Sequence, residues 1–339
     1  MRVLHAVRSD AFAGVENHVA RLARAQHEAG DDVVVVGGDP ARMSQVAGDG
    51  VRTLAATTVT QVLAAVRRCA VRADVIHAHM TAAEIACAAS LFGMERPLVV
   101  TRHFARDRGS NPVSALAAAA AARRVDVQIA ISRYVADAVA GTSTVIHPGV
   151  ESTATTAGSG QRDLVVLVAQ RLEPEKETHV ALRAFAAAGV AALGWRLDIA
   201  GAGAERGRLA ALARDLGIAD AVRFLGHRSD VPQLMERAGV LLAPCPDEGL
   251  GLTVLEAMAA ALPVVAVGAG GHLETVGAVT GAALHPAGDA ACAGRLLAGL
   301  ATDPHRRDAY GAALQEVQRE GFTPAHQARE TAMVYRRVV

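Results

Sequence analysis

The sequence predicts an α/β protein of two doubly wound, parallel-sheet domains, and three observations carry that expectation. Short β-branched runs, apolar at nearly every position, alternate with longer helical stretches along the 339 residues. Strands apolar throughout belong in sheets covered on both faces, and alternating strand–helix units build parallel sheets. Hydrophobic residues make up 51% of the chain and aromatics only 3%, a composition that suits helix-covered sheets better than a β-sandwich. The polar, Gly/Ser-rich stretch 151–161 has linker composition and divides the chain into two similar halves.

In the first half, strands are expected at 3–6, 33–36, 75–78, 98–101, 127–131 and 144–147. The first leads into Phe12-Ala13-Gly14-Val15-Glu16-Asn17-His18, a glycine-containing turn that opens a helix to about residue 29. The alanine-rich stretch 115–122, closed by Arg123 and Arg124, reads as a packed helix. In the second half, strands are expected at 164–169, 196–200, 222–225, 240–243, 263–267 and 282–284, and residues 324–337 read as a last helix. The expected division is 1–150, a linker at 151–163, 164–322, and a terminal helix at 323–339. Two such domains face each other across a deep cleft, and ligands bind at the carboxyl edges of their sheets.

Lys+Arg and Asp+Glu balance at 34 each, so no global field recruits nucleic acid or an anionic membrane. The 4 cysteines (Cys69, Cys87, Cys245, Cys292) are scattered, which fits a reducing cytoplasm. The apolar run after Met1 is too short for a signal peptide, and no segment approaches the roughly 20 apolar residues of a membrane span. The expectation is a cytoplasmic protein, monomer or homodimer, without stable membrane association.

The densest chemistry lies in Asp247-Glu248-Gly249-Leu250-Gly251-Leu252-Thr253-Val254-Leu255-Glu256-Ala257-Met258, between an apolar strand and a helix. Glycines let backbone approach a ligand, a helix start offers free N–H groups to phosphate, and carboxylates accept from sugar hydroxyls. Glu248 reads as functional. Glu256 reads equally as a ligand contact or as the partner of Thr253 in a capping box. After an earlier strand, Gln170-Arg171-Leu172-Glu173-Pro174-Glu175-Lys176 places two cations to clamp a diphosphate, or to face Glu173 and Glu175 in solvent.

His77 and His79 end a strand and share one face. With no third ligand at a diagnostic spacing they read as a structural or cleft-lining pair, and no metal is expected. His103, just past another strand, reads equally as structural or as a hydrogen-bonding group in the cleft. Gly201-Ala202-Gly203-Ala204-Glu205-Arg206 fails the dinucleotide fingerprint, because Arg206 stands at the third glycine. Phe224-Leu225-Gly226-His227 ends a strand where a nucleobase would lie, and Gly270-Gly271-His272 makes one more glycine-rich loop.

Together these residues resemble the family 4 retaining glycosyltransferases of GT-B fold, over nearly the whole chain. The E-x7-E motif matches Glu248 and Glu256, the phosphate loop Arg171, Leu172 and Lys176, and the G-x-G-x-E turn Gly201, Gly203 and Glu205. Phe224 and Gly226 match an F-x-G strand end, Gly14 and Glu16 part of an amino-terminal G-G-x-E turn, and His147-Pro148-Gly149-Val150 a signature before the linker. The resemblance implies transfer of a sugar from a nucleotide-diphosphate donor, UDP favoured, with retention and without a metal or other cofactor. It implies that Arg171 and Lys176 neutralise the leaving diphosphate, Glu248 holds the donor sugar, Glu256 the ribose, and His103 lies near the transferred sugar. Gly14, Gly201, Gly203, Phe224, Gly226, His227, Gly249, Leu250, Gly251, Leu252 and Thr253 complete the implied donor site. It also implies that the first domain binds the acceptor, the second binds the donor, and the terminal helix crosses back to the first.

Departures from the pattern are Ala13, Gln170, Glu177 and Ala261 where the family has glycine, and Leu250 where it has phenylalanine. Acceptor contacts are expected in loops near 11–15, 79–84 and 103–112. Arg102, Arg106 and Arg108 there read equally as contacts to a polar or anionic acceptor or as solvated surface. A small soluble acceptor, such as a secondary-metabolite aglycone or a sugar alcohol, is favoured over a lipid-linked one. A nucleotide-sugar epimerase of the same architecture, a non-catalytic sugar-nucleotide sensor and an NAD-dependent dehydrogenase are the competing readings.

Overall fold

Both sheets are parallel throughout, and each winds outward in two directions from its first strand. The computed structural model describes residues 1–106, 112–153 and 158–339. Its chain divides into two units, Met1–Gly149 with Phe322–Val339, and Val150–Gly321.

The first unit holds β1 (Arg2–Val7), β2 (Asp32–Val36), β3 (Arg52–Leu54), β4 (Val75–His79), β5 (Leu98–Arg102), β6 (Val127–Ala130) and β7 (Thr144–Val145). Their order in the sheet is β3-β2-β1-β4-β5-β6-β7. The second unit holds β8 (Val165–Ala169), β9 (Arg196–Ala200), β10 (Val222–Gly226), β11 (Val240–Ala243), β12 (Val264–Val267) and β13 (Leu284–His285), ordered β10-β9-β8-β11-β12-β13. The order reverses between β1 and β4 and again between β8 and β11, and at such switch points the flanking loops part to leave a crevice. Every expected strand is present. The unexpected one, β3, is a three-residue edge strand whose Arg-Thr-Leu sequence is exposed or half-buried, too short and polar to show an apolar run.

Side chains alternate between the faces of the first sheet with the period of two that a strand imposes. Leu4, Ala6, Ile76, Ala78, Leu98 and Val100 pack on one side with Val62, Val66 and Ala83. Val3, Val33, Val75, Val99 and Ile129 pack on the other with Val19, Ala23, Val334 and Tyr335. Toward the carboxyl edge this second face changes from valine to histidine: Val3 gives way to His5, and Val75 to His77 and His79. Beside them, Val99 gives way to Thr101 and then His103. The second unit has its own core around Phe185, Trp195, Leu197, Ile199 and Leu242.

The terminal helix Pro324–Tyr335 packs on helix Gly14–Glu28 through Ala328, Leu22 and Ala25. Gly149 makes room for its start. A Cβ at Gly149 would lie 2.2 Å from the Thr323 carbonyl carbon, and the Gly149 N–H donates to Gln327 Oε1 at 2.9 Å. The ends of the expected linker are anchored within the second unit, Ser152 to Gln318 at 3.1 Å, Thr153 to the Ala259 carbonyl, and Ser159 to Asp308 at 2.6 Å. Its middle, 154–157, lies outside the described residues.

Candidate active site

In the second unit, the switch point sets the loop after β8 beside the loop after β11. The first is laced to the loop after β9: the Leu172 N–H donates to Ala202 O and the Glu205 N–H to Leu172 O, both at 2.9 Å. Gly201 and Gly203 permit that lacing, since a Cβ would fall 1.8 Å from Gln170 O and 2.3 Å from Leu172 O respectively. Gln170, a departure from the family's glycine, ties the loop together, donating to Lys176 O at 2.8 Å and to Thr178 Oγ1 at 2.9 Å. Glu177, another departure, takes the left-handed conformation that glycine accepts more readily, with φ 48°.

Lys176 reaches across to Glu248, Nζ to Oε2 2.7 Å, with side chains 16% and 29% exposed. Burial works against the ammonium charge, but the carboxylate beside it more than offsets that and holds the Lys176 pKa above its ordinary value. Arg171 behaves differently. It is two-thirds exposed and pairs with Glu175 at 3.0 Å, an arrangement that solvent weakens.

Glu248 is fixed from behind by backbone. Gly271 N–H donates to Glu248 O at 2.8 Å, and a Cβ on Gly271 would lie 2.3 Å from Leu250 Cα. Leu250 itself is buried and seats the loop. Gly251, at φ 91°, is the cap of helix Leu252–Ala259. Thr253 is therefore the second helical residue and Glu256 the fifth, so the Thr253–Glu256 capping box is not formed. That removes the capping role weighed for Glu256 from the sequence. Phe224 packs on the core, with the Arg206 guanidinium 3.8 Å from its ring centroid. Gly226 accepts from Gly201 N–H at 2.7 Å, Gly249 is half-buried, and His227 is exposed.

Two further residues of this loop cluster were given no role from the sequence. Cys245 is buried, and its thiol donates to Glu175 O at 3.4 Å; burial pushes its pKa up to about 11. His272 is buried against Gly251, whose added Cβ would lie 3.2 Å from its ring, and burial lowers its pKa. The Gly-Gly-His spacing past β12 was the available signal.

In the first unit, parallel pairing gathers histidines that the sequence scatters. His77 and His79 stack at 4.4 Å, and β1 supplies the third imidazole that spacing along the chain did not reveal. His5 Nδ1 lies 3.0 Å from His79 Nε2, and His79 Nδ1 lies 3.1 Å from His103 Nε2. His18 stands edge-on to His103 at 4.8 Å. All five are buried. Desolvation lowers His5 to about 4 and His103 to about 3, and it holds His18, His77 and His79 well below the ordinary imidazole value, with neighbouring imidazoles adding to it. The cluster is thus neutral near pH 7.

His5, His77 and His79, and likewise His18, His79 and His103, bring ring nitrogens within 4.8 Å of one another. The rings of His5, His77 and His79 lie only 28° to 38° from parallel, so their in-plane lone pairs do not converge. Both nitrogens of each are hydrogen-bonded besides. A metal ion would have to displace those bonds.

Gly14 is the first residue of its helix and exposed, while Glu16 caps that helix by accepting from the Ala13 N–H at 2.9 Å. Arg102, read from the sequence as an acceptor contact or solvated surface, is not solvated surface. It is buried against Glu84 at 2.8 Å and donates to Gln128 at 2.9 Å. Arg106 is exposed, and Arg108, with the rest of 107–111, lies outside the described residues.

The family model described as Glycosyltransferase Family 4 matches residues 12–153, and that described as Glycosyl transferases group 1 matches 154–316. The chain belongs to glycosyltransferase family 4. Among solved structures, Anabaena HepE in complex with UDP superposes with a TM-score of 0.82 at 21% identity, covering 98% of this chain and 99% of that one. Sucrose-phosphate synthase from Thermosynechococcus elongatus gives 0.77 at 18%, covering 99% and 98%. At those identities the likeness establishes the fold, which is the two-domain GT-B architecture. Among curated relatives, the 2-deoxystreptamine N-acetyl-D-glucosaminyltransferase of Streptomyces fradiae is 31% identical over 205 residues, 59% of this family 4 chain and 49% of that enzyme. The match spans half or less of such relatives, down to 11%. No helix among the described residues is long and apolar enough to cross a membrane.

Proposed function

We propose that this chain transfers a hexose-type sugar from a nucleotide-diphosphate donor, a UDP-sugar, to a hydroxyl of a small soluble acceptor, with retention at the anomeric carbon. The observation that carries the proposal is the Lys176–Glu248 pair at the carboxyl edge of β8 and β11, in a chain of family 4. A lysine held charged by a half-buried carboxylate is placed to give that charge to a departing diphosphate, where charge develops in the transition state. Glu248 then accepts from sugar hydroxyls, and Glu256, one turn inside its helix, from the ribose. Arg171, two-thirds exposed and paired with Glu175, is the second cation recruited to phosphate once it leaves Glu175.

On this reading the leaving phosphate takes the acceptor's proton, and His103 serves the transferred sugar. HepE, the relative in fold, has been solved with UDP and with UDP-glucose, which supports a UDP-sugar as the donor. Calorimetric titration with UDP, GDP, ADP, dTDP and NAD tests the donor class. Selective binding of UDP is expected. Binding of NAD alone would overturn the proposal in favour of a dehydrogenase.

A further inference from the structure

The hydrogen bonds of the buried histidines form one directed chain. Short and long contacts set its direction, because N–H···O and O–H···N bonds can be shorter than N–H···N bonds. His5 Nε2 and Gln26 Oε1 are 2.6 Å apart, so oxygen faces the imidazole and His5 donates from Nε2. The Gln26 amide nitrogen then turns to Tyr335, donating to its hydroxyl at 3.3 Å. That hydroxyl donates in turn to His77 Nδ1 at 2.6 Å, leaving His77 Nε2 to donate to Thr101 Oγ1 at 2.7 Å. Every contact of this branch agrees with the same orientation of Gln26.

The other branch follows without further choice. A neutral imidazole carries one proton, so His5, protonated at Nε2, offers a lone pair at Nδ1. His79 must donate to it from Nε2 across 3.0 Å. His79 Nδ1 is then bare, and His103 must donate to it from Nε2 across 3.1 Å. The chain ends on His103 Nδ1, which has no hydrogen-bond partner among the described residues and is absent from their buried, unpartnered atoms.

We infer that Gln26, His5 and His79 are positioning residues that lock His103 as the Nε2–H tautomer, so that its bare Nδ1 accepts a hydrogen bond from a hydroxyl of the transferred sugar. The lock rests on the geometry above, and the sugar contact rests on the proposed function. The chain orients rather than conducts. A proton entering at His103 would have to finish on the Gln26 amide oxygen, a very weak base. It also selects, since a bare nitrogen welcomes a hydroxyl and disfavours a carboxylate or phosphate.

The test is long-range ¹H–¹⁵N correlation on the full chain labelled with ¹⁵N-histidine, which separates protonated from bare ring nitrogens directly. His103 should appear as the Nε2–H form. Gln26→Glu, which keeps an oxygen toward His5, should preserve it, whereas Gln26→Met should cut the tautomer bias by about fivefold, the worth of one hydrogen bond. A merely structural Gln26 would change thermal stability and leave the tautomer alone. Titrating UDP-glucose, but not UDP, should move the Nδ1 resonance. Nδ1 protonation of His103 in the unaltered chain, or in Gln26→Glu, overturns the lock, including where Gln26→Met fails to fold. The expected tautomer with no response to UDP-glucose instead overturns the sugar contact and counts against the transferase reading.

Discussion

Mild acid should unfold the first unit before the second, and the five buried histidines set the size of the effect. His5, His18, His77, His79 and His103 have folded pKa values depressed from 6.5, two of them to about 4 and about 3. The unfolded chain therefore binds more protons than the folded one between those values and 6.5. By linkage, the stability these groups confer is complete above pH 6.5 and is lost as pH falls toward the folded values. At pH 5.5 each unfolded histidine has gained about one pKa unit of protonation, about 1.4 kcal/mol. Five amount to about 7 kcal/mol, within the range of a domain's entire stability. The charged groups acting on the cluster are Arg102 with its partner Glu84, Arg21 and Asp31. The assay is urea denaturation at pH 7.5 and 5.5, followed by far-UV circular dichroism and by fluorescence of Trp195, the single tryptophan, which is buried in the second unit. A circular-dichroism transition that moves to much lower urea while the Trp195 transition moves less is expected. A midpoint that stays put between the two pH values would mean that these histidines are not held neutral in the folded unit.

The donor-site assignments give further expectations. Lys176→Ala and Glu248→Ala should each lower turnover by about 100-fold or more, the usual cost of losing one electrostatic contact to the transition state. Near-unaltered rates in folded protein would sink their roles. Glu256→Gln should weaken UDP binding by calorimetry; unchanged UDP binding with lowered stability would return Glu256 to a structural role. Gly271→Ala should lower the melting temperature and displace the Glu248 loop, since its Cβ meets Leu250 backbone at 2.3 Å. By contrast Gly207→Ala, in a helix with nothing within 4 Å of the new Cβ, should stabilise by about 0.5–1 kcal/mol. Equal melting temperatures for the two would discredit the packing argument.

The interior strands were legible because each is a short apolar run with no competing pattern, and β3 was not because an edge strand of three residues has no such run. Glu248 and Lys176 were legible as loop residues beyond strand ends, and strand order brings them together. Thr253-x-x-Glu256 misled as a cap because Gly251, with no side chain to signal it, starts the helix two residues earlier. Arg102 looked like surface because its partner Glu84 comes from a different strand–helix unit. The histidine cluster was half visible: His-x-His on β4 shows in the sequence, but His5, His18 and His103 join it only through parallel register and helix packing. Gly149 and Gln170 show the same limit, since each is explained by a residue it meets in space, Thr323 and Thr178 respectively.

NMR of a turnover reaction reads both the transfer of sugar from a nucleotide-diphosphate donor and its retention. The chain would be incubated with UDP-glucose and a panel of small polyols and aminocyclitols, and the anomeric coupling of any new glucoside read beside UDP release. An α-glucoside formed from the α-linked donor, dependent on Lys176, is the expected result. A β-glucoside, or a changed donor sugar without any acceptor, would contradict the account.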